Sequence, residues 1–284
     1  MPPPAGHPNV LVLTGGHPYE AGAFFAVFEA IVPGRWTHLA QPGAAEKLTV
    51  EGCAPYDVIV FYDLPGLRFT RSDPPTEMPE PSPSMKAGIH ELLEAGKGLV
   101  FMHHAVAGWP AWPEYASIIG GRYHYQPAEL GGVHYPDSGY RFDITHEIEV
   151  LDPTHPICAG LGSSFMLTDE LYMFPVLESQ VVPLLRTRFP MRDSSQFYST
   201  DLAIRGTRNS NEGWTHPAGS DLVGWVKNAG NSPVAYLQFG DGPVTYADPN
   251  FQRVLSNAIN WAASTVAHDW ARARRLHASS RQTP

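Results

Sequence analysis

Gly98-Leu99-Val100-Phe101-Met102-His103-His104-Ala105 is the stretch on which the fold turns. Leu99 to Met102 is a short unbroken apolar run that leads straight into two imidazoles. A strand with one wet face alternates apolar and polar residues, whereas a continuous run of this length fits a strand covered on both faces, as in parallel sheets between helix layers. Upstream, Ile89, Leu92 and Leu93 mark a helix that Gly96 and Gly98 end. The N-terminal part repeats the pattern. Val10 to Leu13 is apolar, Thr14-Gly15-Gly16 is a tight turn, and Phe24, Phe25, Phe28 and Ile31 recur near helical spacing within Tyr19 to Val32. Tyr56 to Tyr62 is another buried run. Strand and helix in alternation predict an α/β protein with a mostly parallel central sheet flanked by helices.

Outward from this core, the segment Asp63 to Ser84 carries Pro65, Pro74, Pro75, Pro79, Pro81 and Pro83 and reads as a long loop of the kind that serves as a lid. Trp112 to Ile119 reads as a short helix and Tyr140 to Leu151 as a more exposed strand; Val181 to Leu185, Val234 to Phe239 and Val244 to Ala247 are further strand candidates. The polar stretch from Arg186 to Ser232 gives no clear order of elements. The best-defined element comes last: Asp248 as N-cap, Pro249 at the first helical position, then Phe251, Val254, Leu255, Ala258, Ile259 and Ala262 on one face. The organisation predicted is an N-terminal tail over 1–8, one domain over 9–264 with long loop insertions, and a helix end with a basic tail over 265–284.

Composition narrows the function classes. The 284 residues include 28 acidic and 19 basic side chains, a formal net charge of −9, and no basic stripe that would follow a phosphate backbone. Nucleic acid is therefore not an expected partner, nor is a membrane, because no run of about 18 apolar residues occurs. Neither a basic start nor an apolar stretch opens the sequence, so the expected location is cytoplasmic. Cys53 and Cys158 are expected as reduced thiols. Assembly into a homo-oligomer is left open. A supply of 13 His and 7 Trp beside 28 Pro and 26 Gly favours shaped loops carrying ring nitrogens and flat apolar surfaces.

Ligands of open α/β sheets bind beyond the carboxyl ends of the strands, which directs attention to His17, Asp63, His103 and His104. If the strand continues through His103-His104, only one ring enters the crevice; if a turn begins there, both do. Cys53 and Cys158 each lack the strand-turn-helix context of an activated thiol, so thiolate chemistry is not expected of either.

The order of motifs carries a resemblance. Gly98 to Ala105 is followed by Trp112-Pro113-Glu114-Tyr115, Gly120-Gly121-Arg122-Tyr123, His155-Pro156-Ile157, Asp169-Glu170-Leu171-Tyr172 and Asn257-Ala258-Ile259-Asn260-Trp261-Ala262. Over about residues 9 to 264 this series resembles the trehalose-utilisation (ThuA-like) family of the class I glutamine amidotransferase-like superfamily. The resemblance implies a glutamine amidotransferase-like, flavodoxin-like sheet in which His103 takes the place of the nucleophile-elbow cysteine and Met102 that of a glycine. It also implies carbohydrate catabolism, in company with sugar dehydrogenases that form 3-keto sugars.

A ketone at C3 acidifies the C2 proton, so a base and an enolate-holding donor suffice for reaction. Loss of the C1 substituent then cleaves the glycoside, and reprotonation isomerises it. The catalytic candidates are His103, His104 and Glu170. His17, Tyr123, His124, Trp109, Trp112, Asp169 and Tyr172 are the candidates for sugar contact, since aromatic faces match apolar C–H faces and polar side chains match hydroxyl rims. Imidazoles and carboxylates also suit Zn²⁺ or Mn²⁺, for which His17, His104, His124 and Glu170 are the candidate ligands, although no zinc-signature spacing is present. The rival readings are a noncatalytic sugar-binding or sensing protein and a structural partner in a sugar-processing complex.

Overall fold

The computed structural model describes residues 6–280; residues 1–5 and 281–284, parts of the two expected tails, lie outside the described residues. In chain order the main elements are β1 (Val10–Gly15), α1 (Ala21–Ile31), β2 (Trp36–Ala40), β3 (Val58–Asp63), α2 (Pro83–Ala95), β4 (Gly98–Met102) and α3 (Pro113–Ile119). Next come β5 (Gly139–Val150), β6 (Ser164–Met173), β7 (Val182–Thr187), β8 (Tyr198–Ser199), α4 (Thr200–Ile204), β9 (Leu222–Ala229) and β10 (Ser232–Leu237). The chain then turns helical through α5 (Pro243–Tyr246), α6 (Pro249–Ala262) and α7 (Thr265–Ser280).

One sheet holds all ten strands in the order β6-β5-β7-β9-β10-β4-β3-β1-β2, with β8 paired to β5. From β10 to β2 the pairing is parallel, with Leu237 opposite Met102, Phe61 opposite Phe101 and Gly15 opposite Asp63. This is the expected α/β architecture, a central sheet flanked by helices. From β10 outward the sheet continues antiparallel through β9, β7, β5 and β6.

The apolar runs explain themselves in the parallel half. Val10 and Val12 point to one face, where they meet Phe24 and Phe28 of α1 and Phe251 and Leu255 of α6. Leu11 and Leu13 point to the other, where they meet Ile89 and Leu92 of α2 and Tyr115 of α3. Both faces are dry, so nothing selects for alternation. Caps set the helix limits: Ser82 Oγ accepts from Met85 N at 3.2 Å, Gly96 closes α2 at φ +79°, and Asp248 accepts from Asn250 N at 2.7 Å and Phe251 N at 3.1 Å.

Two expectations need correction, and one unordered stretch gains its elements. Val244 to Ala247, expected as a strand, falls on the short helix α5: Pro243 starts it at a position where its missing N–H is harmless, while Val244 stays exposed. The segment after Thr265, expected as a helix end and tail, continues as α7, with Ala267 and Ala271 buried and Arg275 bonded to Glu94 at 2.7 Å. The Arg186 to Ser232 stretch contains β8, α4 and β9, the last with Trp225 fully buried and its indole N–H on the Ile119 carbonyl at 2.8 Å. Both cysteines are free and buried. Among the described residues, no helix is long and apolar enough to cross a membrane.

Candidate functional site

The parallel strands end at one edge, and the segments just beyond those ends build the site. After β1, Gly15 and Gly16 adopt φ of +110° and +85°, and a Cβ on Gly16 would stand 2.0 Å from the Leu64 carbonyl oxygen, so only glycine permits the turn that presents His17. After β4 the chain leaves the strand at once: His103 has φ +46°, a left-handed value rare outside glycine, and opens a 3₁₀ turn over His103–Ala107. This strand-to-helix elbow sends both imidazoles inward, to different neighbours. A turn does begin at His103, yet only the His104 ring lines the cavity described below.

His103 is fully buried. Its Nδ1–H donates to the Gln238 carbonyl at 2.7 Å, and Nε2 meets the Tyr172 hydroxyl at 2.8 Å, Glu170 Oε2 at 3.2 Å and Asp241 Oδ1 at 3.6 Å. Burial alone would push its pKa down, but the hydrogen bonds with Asp241 and Glu170 and the charges of Asp169 and Glu170 outweigh it and raise the ring well above its ordinary value. His103 is thus held as an imidazolium among carboxylates.

His104 is its opposite. Its Nε2–H donates to the Tyr62 carbonyl at 3.1 Å, which leaves the lone pair on Nδ1, an atom with no protein partner. Burial, with the neighbouring His17 and His103, holds this ring neutral, well below the usual imidazole range. His17 stacks on it with ring centroids 4.5 Å apart and is likewise shifted down by burial.

Glu170 and Asp169 are adjacent, yet both are buried, because the β5–β6 pairing slips here: Asp169 faces Ile144 while Leu171 faces Arg141. The irregularity sets Glu170 against two residues, Phe142 and Asp143, the latter at φ +56°. Burial raises the Glu170 pKa against the opposing pull of the His103 hydrogen bond. Asp169 does a different job from the sugar contact expected of it. Its carboxylate accepts from Gly240 N at 2.7 Å, Asp241 N at 3.0 Å, Thr245 Oγ1 at 2.7 Å and Glu170 N at 3.0 Å, fixing the loop after β10 that carries Asp241.

A cavity of about 570 Å³ opens beside these groups. His17, His104, Glu170 and Tyr172 stand on its wall with Tyr123 and Tyr125, whereas His103 sits behind Glu170 and Tyr172. The Tyr123 hydroxyl is bonded to Thr200, but that of Tyr125 has no protein partner. Leu64, Leu67 and Phe69 of the proline-dense loop also line it, as do Tyr140 and Phe142 of β5.

Three candidates lie elsewhere. His124 lines a separate pocket of about 110 Å³ and is not on the wall of the larger cavity. Trp112 is buried at the head of α3 against Tyr115, and its carbonyl accepts from buried Arg122. Trp109 packs on Gly66, and its carbonyl also accepts from Arg122, at 2.9 Å. Asp63, at the end of β3, is buried away from the cavity with Gln41 Nε2 on its Oδ2 at 2.7 Å.

The ligand set expected for a metal is consequently not assembled, since His124 lines a different pocket from His17, His104 and Glu170. His103, Glu170 and Asp241 do bring one ligand atom each within 4.8 Å of one another. Their geometry fits a proton better than a cation: the nearest group to Nε2 is the Tyr172 hydroxyl, and Oε2 lies at hydrogen-bond range.

Gln238 and Asp241, which contact His103, and Tyr125, on the cavity wall, are residues of the site that the sequence does not single out. The rule that selects residues beyond strand ends reaches Gln238 and Asp241 once β10 is recognised as parallel. Tyr125 carries no signal beyond its place in the aromatic run Tyr123-His124-Tyr125.

A family model described as ThuA, trehalose utilisation, matches residues 9–262. No functionally curated protein matches the sequence. Among solved structures, the chain is similar to a ThuA-like protein from Bacteroides uniformis, at 18% identity and a TM-score of 0.63, over 92% of this chain and 94% of that one. Another, from Parabacteroides merdae, aligns at 16% identity and a TM-score of 0.60 over 91% of each chain. A cytoplasmic protein from Salmonella typhimurium shares the fold at 12% identity and a TM-score of 0.54, over 89% of this chain and 98% of that one.

Proposed function

The chain belongs to the ThuA family of trehalose utilisation, and from that premise we propose that its cavity takes a keto-sugar or oxidised disaccharide and removes a proton beside the ketone. The observation that carries this reading is the pairing, in one cavity wall, of a carboxylate with an upward-shifted pKa and a neutral histidine whose free ring nitrogen has no protein partner. A base works best when its pKa lies near the working pH, and burial shifts Glu170 in that direction. Glu170 takes the C2 proton. His103 touches no substrate; its positive charge keeps Glu170 ionised, so it is a positioning residue. The Tyr125 hydroxyl donates to the developing enolate oxygen, and His104 Nδ1 accepts from a sugar hydroxyl.

From the enolate, departure of the C1 oxygen substituent, which takes up the proton held by Glu170, leaves a C1=C2 double bond conjugated to the C3 ketone and releases an alcohol; return of a proton to the opposite face of C2 instead gives the C2 epimer. Either outcome uses the same base. Glu170→Gln tests the assignment: turnover of a 3-keto glucoside falls by roughly 10²–10⁴ while its Kd stays within about threefold. Turnover that survives the substitution removes Glu170 from the role, and binding without turnover in the wild type supports a sugar-binding protein.

A further inference from the structure

The cavity has two chemically distinct ends. Its floor is made of buried groups, His104, Glu170, Tyr123, Tyr125 and Tyr172. Its mouth is made of exposed ones, and two of these are phenyl rings: Phe69 is 72% exposed and Phe142 is 47% exposed. Scattered exposed apolar residues need no explanation. These two, however, come from segments far apart in sequence, the proline-dense loop and the β5 irregularity opposite Glu170, and they face one opening.

Arg208 and Asn209, beyond α4, bring hydrogen-bonding side chains to the same mouth, with Asn209 N bonded to the Tyr140 hydroxyl at 3.1 Å. The loop bearing Phe69 is also tied across to α4. It folds into a small hairpin, Arg68–Phe69 with Thr76–Glu77, and Asp73 at its tip pairs with Arg205 at 2.7 Å. Flat apolar surface flanked by polar donors is what one face and rim of a pyranose ring present in complement.

We infer that the mouth is a second sugar subsite: Phe69 and Phe142 hold the hexose ring attached through C1, while the floor holds the keto ring. This rests on the proposed function and adds the place where a second ring is held and the side chains, Phe69 and Phe142, that select a two-ring keto-glycoside over a small-aglycone one. The Asp73–Arg205 bridge positions the Phe69 hairpin over that ring.

Binding of two probes separates the subsite from the chemistry: methyl 3-keto-glucoside, with one ring, and the 3-keto form of trehalose, with two. Calorimetry on the wild type should show the two-ring probe bound about tenfold more tightly, the gain from burying part of a ring face on each phenyl. Phe69→Ala and Phe142→Ala should each remove most of that advantage and leave the one-ring Kd within about twofold; Phe69→Tyr should restore it. Both residues are exposed, so the variants retain the fold. Equal affinity of the wild type for the two probes, or equal weakening of both probes by the variants, overturns the subsite. Turnover of the one-ring probe in that case leaves the proposed function standing, whereas failure of both probes to bind or react overturns the subsite and the function together.

Discussion

Asp169→Asn probes the difference between a residue that holds ligand and one that holds the site together. The carboxylate receives four hydrogen bonds, from Gly240 N, Asp241 N, Thr245 Oγ1 and Glu170 N, and none of its neighbours there is an acceptor in need of a donor. An amide keeps one oxygen. If that oxygen replaces Oδ1, the new NH₂ faces the Gly240 N–H donor to donor, and one charge-assisted bond worth about 1.5–3 kcal/mol is lost. Leaving that buried N–H unpaired costs about 1–3 kcal/mol more. Burial raises the Asp169 pKa, so neutralising it returns part of this. The net loss is about 3 kcal/mol, which for a domain of this size lowers Tm by roughly 6–12 °C. Differential scanning calorimetry at pH 7 reads it directly. Glu170→Gln, which neutralises a buried carboxylate also shifted upward, should stay within roughly 3 °C of wild type. If Asp169→Asn melts within about 2 °C of wild type, the loop after β10 is not held by this carboxylate and the reasoning fails.

The geometry sets three other outcomes. Burial raises the Asp63 pKa from 3.8 to about 6, so its ionisation opposes folding: stability is lost as pH rises through this window, by about 2 kcal/mol between pH 4 and pH 8. Asp63→Asn removes that loss, and urea titrations of both proteins at the two pH values will show whether the difference between them grows with pH as stated. Gly16→Ala should destabilise by at least about 2 kcal/mol in the same assay, because the new Cβ meets the Leu64 carbonyl oxygen at 2.0 Å in a left-handed turn; a neutral effect would mean that the turn can relax. Tyr172→Phe removes the hydroxyl nearest His103 Nε2 at 2.8 Å while keeping the stacked ring, and NMR titration of the imidazole should report a displaced pKa; an unmoved one would show that the two groups are uncoupled.

Much of the α/β frame is legible in the sequence because the buried strands around Val10, Val58 and Leu99 have both faces dry and therefore read as unbroken apolar runs. The last amphipathic helix is legible for a different reason: its cap, its proline and its apolar stripe agree. The parallel edge and the antiparallel half are harder to read. At the edge β2 is only partly buried, and in the antiparallel half β9 sits in a polar neighbourhood whose order comes from distant partners such as Ile119. At the site, the strand-end rule finds His17, His103 and His104, while the family motif finds Glu170 and Tyr172. His124 fails because neighbouring side chains in extended backbone point apart, so its flanking tyrosines take the cavity and it does not. Asp169 and Glu170 would have been assigned to opposite faces by alternation alone, and the pairing slip that buries both has no sequence signature.

Proton NMR of methyl 3-keto-glucoside in D₂O tests the central claim most directly. With the wild-type protein the C2 proton signal should disappear by exchange, or the glycoside be lost, at a rate unaffected by EDTA and abolished in Glu170→Gln. A C2 signal that persists at full intensity with active-site concentrations of folded protein would contradict proton abstraction as the chemistry of this cavity.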